Sequence, residues 1–172
     1  KVVDATLNQS LNTVRGIVDE VRSKRYDLIY ITGSGTSHHA GLACQYIFFN
    51  FGMPVTSLIP ASEFPFWVPS VIDRKALLIA ISQSGESSDI LTAANAAISR
   101  KMDILAVTNT ENSSLMRMAQ YTLLTRAGKE RAVTATKSYV AQLTSLFLLS
   151  LELAERQRAT EDFKNLRQRL FE

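Results

Sequence analysis

The sequence predicts an α/β protein, a three-layer, doubly wound domain built on five parallel strands. Short apolar segments alternate with longer amphipathic ones along the whole chain, the pattern of parallel strands joined by right-handed helical crossovers. The segment 76–81, Ala-Leu-Leu-Ile-Ala-Ile, is apolar throughout, as expected of a strand buried on both faces. With 172 residues, 46% of them hydrophobic, the chain suits one such domain.

Each predicted element rests on a local signal. Apolar residues three or four positions apart predict an amphipathic first helix that ends near Lys24. Gly33 and Gly52 mark the ends of the first strand and of the helix after it. The predicted strands are residues 27–32, 54–59, 76–81, 103–108 and 121–125, and further helices are expected up to 51, up to 101, and over 113–119, 134–155 and 161–171.

These elements group into a simple domain organisation. We expect an N-terminal helix over residues 1–25 that packs on the domain, the α/β domain over residues 26–159, and a C-terminal helix over residues 160–172. In such a sheet the ligand binds beyond the carboxyl ends of the strands, where the strand order reverses. The loops after the first and third strands are therefore the places to look for chemistry.

Composition excludes several classes of function. The 19 Lys and Arg residues exceed the 16 Asp and Glu residues by only three, which predicts no nucleic-acid partner. Cys44 is the single cysteine, and His38 and His39 are the only histidines, so we expect neither a disulfide nor a metal site. Without an apolar run of about 18 residues, we expect no membrane span and a cytoplasmic protein. The sequence begins with Lys rather than Met, which suggests a piece of a longer chain.

The loop after the first strand is Gly33-Ser-Gly-Thr-Ser-His38. It lacks the third glycine of a dinucleotide fingerprint, and no acidic residue ends the second strand, which argues against a nicotinamide cofactor. No nucleoside-triphosphate P-loop occurs either, and we expect no cofactor. The three hydroxyl side chains suit either a helix cap or a ligand site.

The loop after the third strand, Ser82-Gln-Ser-Gly-Glu-Ser-Ser88, places four hydroxyls and one amide around a glycine. One capping residue would suffice for a helix start, so the excess of donors favours a bound phosphate. Because the loop contains no Lys or Arg, a monophosphate held by hydrogen bonds fits better than a polyphosphate with magnesium. Glu86 is expected to point outward at a helix start, away from the anion.

Three motifs together resemble the sugar isomerase (SIS) domain family, which has a flavodoxin-like fold. They are Gly-Thr-Ser at 35–37, Ser-Gln-Ser-Gly-Glu-Ser at 82–87 and Ala-Thr-Lys-Ser at 135–138, and Ala-Ser-Glu-Phe at 61–64 agrees with them. The closest resemblance is to the first of two SIS domains in the isomerase part of glutamine–fructose-6-phosphate aminotransferases and related aminosugar-phosphate deaminases and isomerases. The family often has Ser where this chain has Ala135.

The resemblance implies specific binding roles. The phosphate of a sugar phosphate would be bound by Ser82, Gln83, Ser84 and Ser87. The sugar itself would be contacted by Thr36, Ser37 and the backbone of Val133. The implied ligands are fructose 6-phosphate and glucosamine 6-phosphate, and the implied partner is a second SIS domain or a second copy of the chain.

Acid–base equipment is scarce. Glu63, His38, His39 and Lys137 are the candidates for proton transfer, and Glu63 is only a weak one because a carboxylate there also suits a helix start. In the resembled enzymes the main base and a Schiff-base lysine belong to the second domain. We therefore expect half of a catalytic unit. The alternatives are a free-standing isomerase completed by oligomerisation, with Glu63 or a histidine as base, and a non-catalytic sugar-phosphate sensor.

Overall fold

The structure, a computed structural model, describes residues 2–50, 55–128 and 136–157. Five strands within these residues form one all-parallel sheet in the order β2-β1-β3-β4-β5, which confirms the predicted fold class. The strands are β1 (Leu28–Gly33), β2 (Val55–Pro60), β3 (Ala76–Ser82), β4 (Asp103–Thr108) and β5 (Tyr121–Leu124). The helices are α1 (Val2–Lys24), α2 (Thr36–Asn50), α3 (Phe64–Trp67), α4 (Ser88–Ser99), α5 (Ser114–Met118) and α6 (Lys137–Gln157).

Two apolar clusters, one on each face of the sheet, create the three layers. The first unites α1, α2 and α6 with one set of strand side chains, including Ile31 and Ile79. The second unites α3, α4 and α5 with the alternate set, including Tyr30 and Leu78. Every residue of β3 is buried, as its continuous apolar sequence predicts for the central strand of a covered parallel sheet.

Helix α6 forms the centre of the first layer. It packs against both α1 and α2, which accounts for apolar residues on more than one of its faces. Leu146, Leu149, Leu151 and Leu153 are all buried. The apolar character of this helix is therefore satisfied within the chain itself.

The predicted strands agree with the observed ones to within one residue over the described part of the chain. Helix α3 is not among the predicted elements; it is one turn long, with Pro65 in its first turn, where proline is tolerated. Pro54, Gly52 and the predicted helix over residues 160–172 lie outside the described residues.

The strand order places two loops at the binding edge of the sheet. β1 is paired with β2 on one side and with β3 on the other, so the order reverses between β1 and β3. Gly33, the last residue of β1, is in register with Ile81 near the end of β3. The loops that follow these two strands thus leave the sheet side by side at the switch point, as the sequence predicts.

Candidate functional site

The loop after β3 is held by hydrogen bonds from the loop after β4. The carbonyl oxygen of Gln83 accepts from the backbone N–H of Asn109 at 3.1 Å, and that of Gly85 accepts from Leu115 at 3.0 Å. The hydroxyl of Thr110 also donates to the Gln83 carbonyl, at 3.3 Å. These contacts fix the backbone of residues 82–87 from a neighbouring loop before any ligand arrives.

Within this loop two serine oxygens accept backbone hydrogen bonds. Ser82 Oγ accepts from the N–H of Gly85 at 3.0 Å, and Ser84 Oγ accepts from the N–H of Glu86 at 3.2 Å. A serine hydroxyl carries one hydrogen and two lone pairs, so an oxygen that already accepts keeps its hydrogen for another partner. Both side chains are therefore prepared to donate to an anion.

Ser87 is the N-cap residue of α4, but its side chain makes no capping bond. Its backbone has the extended conformation of a cap residue, with φ −65° and ψ 138°, yet its hydroxyl makes no capping bond. The first N–H groups of a helix have no partner within the helix. Together with the exposed Ser87 hydroxyl they form a donor-rich end, on which the helix dipole favours negative charge.

Gly85 allows this loop to pass close to its neighbour. Its φ of +66° lies in the left-handed region, and a Cβ atom there would meet Ser113 Oγ at 2.4 Å. No residue with a side chain fits this position without displacing the loop after β4.

Glu86 faces away from the proposed phosphate, toward α5. Its carboxylate accepts from the backbone N–H of Ser114 at 2.7 Å, and this bond lowers the pKa of Glu86, with a smaller contribution from the Arg117 charge. The side chain is exposed, as predicted, but it serves the start of α5 rather than that of α4.

The loop after β1 leaves two of its three hydroxyls exposed and buries the third. Thr36 is exposed at the start of α2, whereas Ser37 is 6% exposed and its Oγ accepts from the amide Nε2 of Gln142 at 2.9 Å. Gly33 makes this arrangement possible, because a Cβ atom there would meet the backbone of Ser37 and His38 at 3.0 Å. Gln142 belongs to no motif that the sequence analysis singled out.

Two clefts open at the carboxyl edge of the sheet. One, of about 280 Å³, lies beside the β1 loop and is lined by Gly33, Ser34, Gly35, His38, His39, Pro60, Ser62 and Asp89. The other, of about 570 Å³, lies beyond β4 and β5 and is lined by Ala5, Gln9, Gln83, Asn109, Thr110, Glu111, Leu124, Arg126 and Gly128. Gln83 of the β3 loop contributes to the larger one.

The candidates for proton transfer are scattered around this edge. His38 and His39 line the smaller cleft, with ring centroids 6.0 Å apart. Glu63 precedes α3, is exposed and makes no side-chain cap bond. Its catalytic role stays a prediction. Lys137 is exposed at the start of α6. Among the described residues, no group of three His, Cys, Asp or Glu side chains is arranged to hold a metal ion.

Two predicted features cannot be placed. Val133 and Ala135 lie outside the described residues, so the proposed backbone contact to the sugar stays a prediction.

Cys44 is buried in the first cluster, and burial raises the pKa of its thiol to about 12, so it remains protonated. None of the helices in the described ranges is long and apolar enough to cross a bilayer.

The five-stranded parallel sheet, with hydroxyl-bearing loops at its switch point, defines a doubly wound α/β domain. Residues 24–151 match the SIS domain family, and the chain belongs to it. The predicted resemblance is thus confirmed.

Similar proteins include glutamine–fructose-6-phosphate aminotransferases. The chain is 41% identical over 131 residues to glutamine–fructose-6-phosphate aminotransferase of Pyrococcus horikoshii, covering 76% of this chain and 22% of that protein. It is 37% identical over 164 residues to the same enzyme of Thermococcus kodakarensis, covering 95% and 27%. The C-terminal domain of the Francisella tularensis aminotransferase superposes with a TM-score of 0.79 at 26% identity, covering 98% of this chain and 51% of that one.

The chain therefore spans about a quarter of these curated relatives and half of that solved domain.

Proposed function

We propose that this chain is the N-terminal half of the isomerase part of an aminosugar-phosphate enzyme and binds fructose 6-phosphate or glucosamine 6-phosphate. The support is twofold. The relatives it resembles act on fructose 6-phosphate by name, and the chain corresponds to half of the solved aminotransferase domain.

The observation that carries the proposal is the arrangement of the β3 loop. Ser82 and Ser84 accept bonds from the loop itself and keep their hydrogens, and the side chain of Ser87, the N-cap residue of α4, makes no capping bond. These hydroxyls and the start of α4 belong to one short loop after the carboxyl end of the central strand. A monoanionic or dianionic phosphate, which accepts hydrogen bonds from every side, is the ligand that this arrangement suits.

Thermal unfolding with matched ligands tests the proposal. A ligand at about 100 times its dissociation constant stabilises the folded state by about 2.7 kcal/mol. In a domain of this size that raises the melting temperature by about 5–10 °C. Fructose 6-phosphate and glucosamine 6-phosphate are expected to produce this shift, and unphosphorylated fructose to produce none. Equal shifts with fructose and its phosphate would exclude the phosphate loop as the binding element.

The proposed chemistry is completed by a partner. The described residues offer Glu63, Lys137 and the two histidines as acid–base groups, and the side chains of Glu63 and the histidines make no hydrogen bond to the β3 loop. Binding without turnover is therefore the expected behaviour of the 172-residue chain. Isomerisation of fructose 6-phosphate by the purified chain would instead favour a free-standing isomerase.

An exposed aromatic surface supports a partner of the same fold. Tyr46 and Phe49 of α2 are 66% and 78% exposed, and Phe66 and Trp67 of α3 are 87% and 71% exposed. These helices flank the edge strand β2 from opposite faces of the sheet. Apolar area of this kind is typical of an interface, and we assign it to a second SIS domain or a second copy of the chain.

Sedimentation equilibrium tests this surface. The chain alone is expected to self-associate through its uncovered aromatic residues, and the double variant Phe66→Ser/Trp67→Ser is expected to shift it toward monomer. The variant Val3→Ser, which removes an exposed apolar side chain of α1, a helix that packs on α6 and β5, is the control. A wild-type chain that stays monomeric up to high concentration would exclude a second copy of the chain as the partner.

A further inference from the structure

We propose that Gln142 is a positioning residue for the bound sugar: its amide holds the oxygen of Ser37 so that the Ser37 hydroxyl hydrogen is presented to the ligand. The inference rests on the proposed function and on the contact between Ser37 and the sugar that the family resemblance implies. Gln142 itself touches no ligand in this account and acts only through Ser37.

The contact is buried and spans the chain. Gln142 Nε2 donates to Ser37 Oγ at 2.9 Å across 105 positions of sequence, and it joins α6 to the first turn of α2. Gln142 is 1% exposed and Ser37 is 6% exposed. A hydrogen bond in such surroundings is stronger than one in water, so it holds the hydroxyl in one orientation.

The direction of this bond decides what Ser37 can do. Because Ser37 Oγ accepts from Gln142, its own hydrogen points elsewhere. Among the described residues the Ser37 hydroxyl accepts this bond and donates none, and the same holds for Ser82 and Ser84. A sugar hydroxyl or carbonyl oxygen is the acceptor that the proposed ligand would supply.

Packing alone does not explain a glutamine at this position. The oxygen of the same amide, Gln142 Oε1, is buried without a hydrogen-bond partner among the described residues. Ser145 Oγ on the same helix is also buried and has no partner among them. An amide oxygen buried without a partner costs stability. Methionine, which has a similar shape and no such oxygen, would avoid that cost, so the amide is retained for its contact with Ser37.

A double-mutant cycle separates positioning from packing. The variants are Gln142→Met, Ser37→Ala and the two combined, with fructose 6-phosphate affinity measured by calorimetry on the 172-residue chain. Each single change is expected to weaken binding about fivefold to tenfold, the usual effect of one hydrogen bond. The combined variant is expected to be no weaker than Ser37→Ala alone, because Gln142 acts only through that hydroxyl.

Stability and two further variants complete the test. The melting temperature of unliganded Gln142→Met is expected to stay within about 4 °C of the wild type. Gln142→Glu places an acceptor where the donor stood and captures the Ser37 hydrogen, so it is expected to bind at least as weakly. The control is Gln45→Met on α2, a half-buried glutamine outside the site, which should leave affinity unchanged.

Several results would overturn the inference: additive losses in the double variant, wild-type affinity in either Gln142 variant, or unfolding of Gln142→Met. Failure of the wild-type chain to bind fructose 6-phosphate would instead refute the proposed function. The two failures are therefore distinguishable.

Discussion

At the scale of single residues, the hydroxyl of Ser84 is the clearest probe of the site. Its oxygen accepts from the N–H of Glu86, which leaves its hydrogen for the phosphate. Ser84→Ala is expected to weaken fructose 6-phosphate binding by about 1 kcal/mol or more, a factor of about five to ten in the dissociation constant. Calorimetry measures this directly.

The matched control is Ser99→Ala at the far end of α4. Ser99 is exposed, and its hydroxyl donates to the carbonyl of Ala96. The helix of 12 residues separates it from the loop by about 18 Å. Affinity should be unchanged in this control, and equal losses in the two variants would remove Ser84 from the binding site.

Gly85 gives a second prediction at the same scale, with Gly128 as its control. Both have left-handed φ angles, +66° and +69°, so alanine costs each position about 1–2 kcal/mol. At Gly85 a Cβ atom would also meet Ser113 Oγ at 2.4 Å, whereas a Cβ atom at Gly128 would meet no described atom within 4 Å. Gly85→Ala is therefore expected to lower the free energy of unfolding, measured in urea, by about 1–3 kcal/mol more than Gly128→Ala does. It is also expected to weaken sugar-phosphate binding. Equal losses at both glycines would show that the loop relaxes freely.

Sequence reasoning could identify motif residues but not their hydrogen-bond partners. Ser82, Ser84 and Ser87 stand in one short loop that a local pattern reveals. Gln142 lies 105 residues from Ser37, and no local pattern shows that helix α6 brings it there. The same limit applies to Glu86, whose acceptor role for Ser114 depends on how two loops pack.

At the scale of elements, α1 is anchored to the sheet by an ionic contact. Lys24 Nζ lies 2.8 Å from Asp103 Oδ2 at the start of β4, and the Tyr26 hydroxyl donates to the same oxygen. Burial alone would raise the pKa of Asp103, but the hydrogen bonds from Lys24 and Tyr26 lower it overall. The hydrogen bond between Lys24 and Asp103 in turn raises the pKa of Lys24 to about 12.

These shifts give the anchor a defined pH dependence. Because the folded pKa of Asp103 is lowered, its contribution is complete above the ordinary value of 3.8 and is lost as the pH falls through the lowered pKa. Asp103→Asn is expected to reduce the free energy of unfolding by up to about 1 kcal/mol at neutral pH, since the pair is partly exposed. The difference between variant and wild type should shrink as the solution is acidified.

Asp73→Asn is the control for this measurement, because it removes an exposed carboxylate that makes no ion pair among the described residues. Chemical denaturation across a pH series measures both variants. A gap between Asp103→Asn and wild type that stays constant on acidification would show that the carboxylate does not anchor α1.

Element boundaries were predictable where burial controls the sequence. β1 and β3 are apolar because both faces of the sheet are covered, and their predicted positions agree with the structure. Helix α3 has only four residues, too few to show a helical period, and it contains Pro65. Its helical turn arises from packing of the buried Phe64, while Phe66 and Trp67 remain exposed.

At the scale of the whole molecule, the fold positions the site by topology. Reversal of strand order between β1 and β3 brings together two loops that are separated by more than forty residues. Alternation of strands and helices predicted this arrangement, since it follows from right-handed crossovers in a parallel sheet. The sequence did not predict which aromatic side chains beside β2 are exposed. Phe64, Phe66 and Trp67 lie in one short aromatic segment, and only the packing shows that Phe64 is buried while the other two are exposed.

The central claim is that the loop 82–87 holds the phosphate, and backbone amide NMR of the 15N-labelled chain tests it most directly. Titration with fructose 6-phosphate and with inorganic phosphate is expected to move the amide resonances of residues 84–88 most, and fructose is expected to leave them in place. Largest shifts around Asn109 and Arg126, in the 570 Å³ cleft, with residues 84–88 unmoved, would contradict the claim.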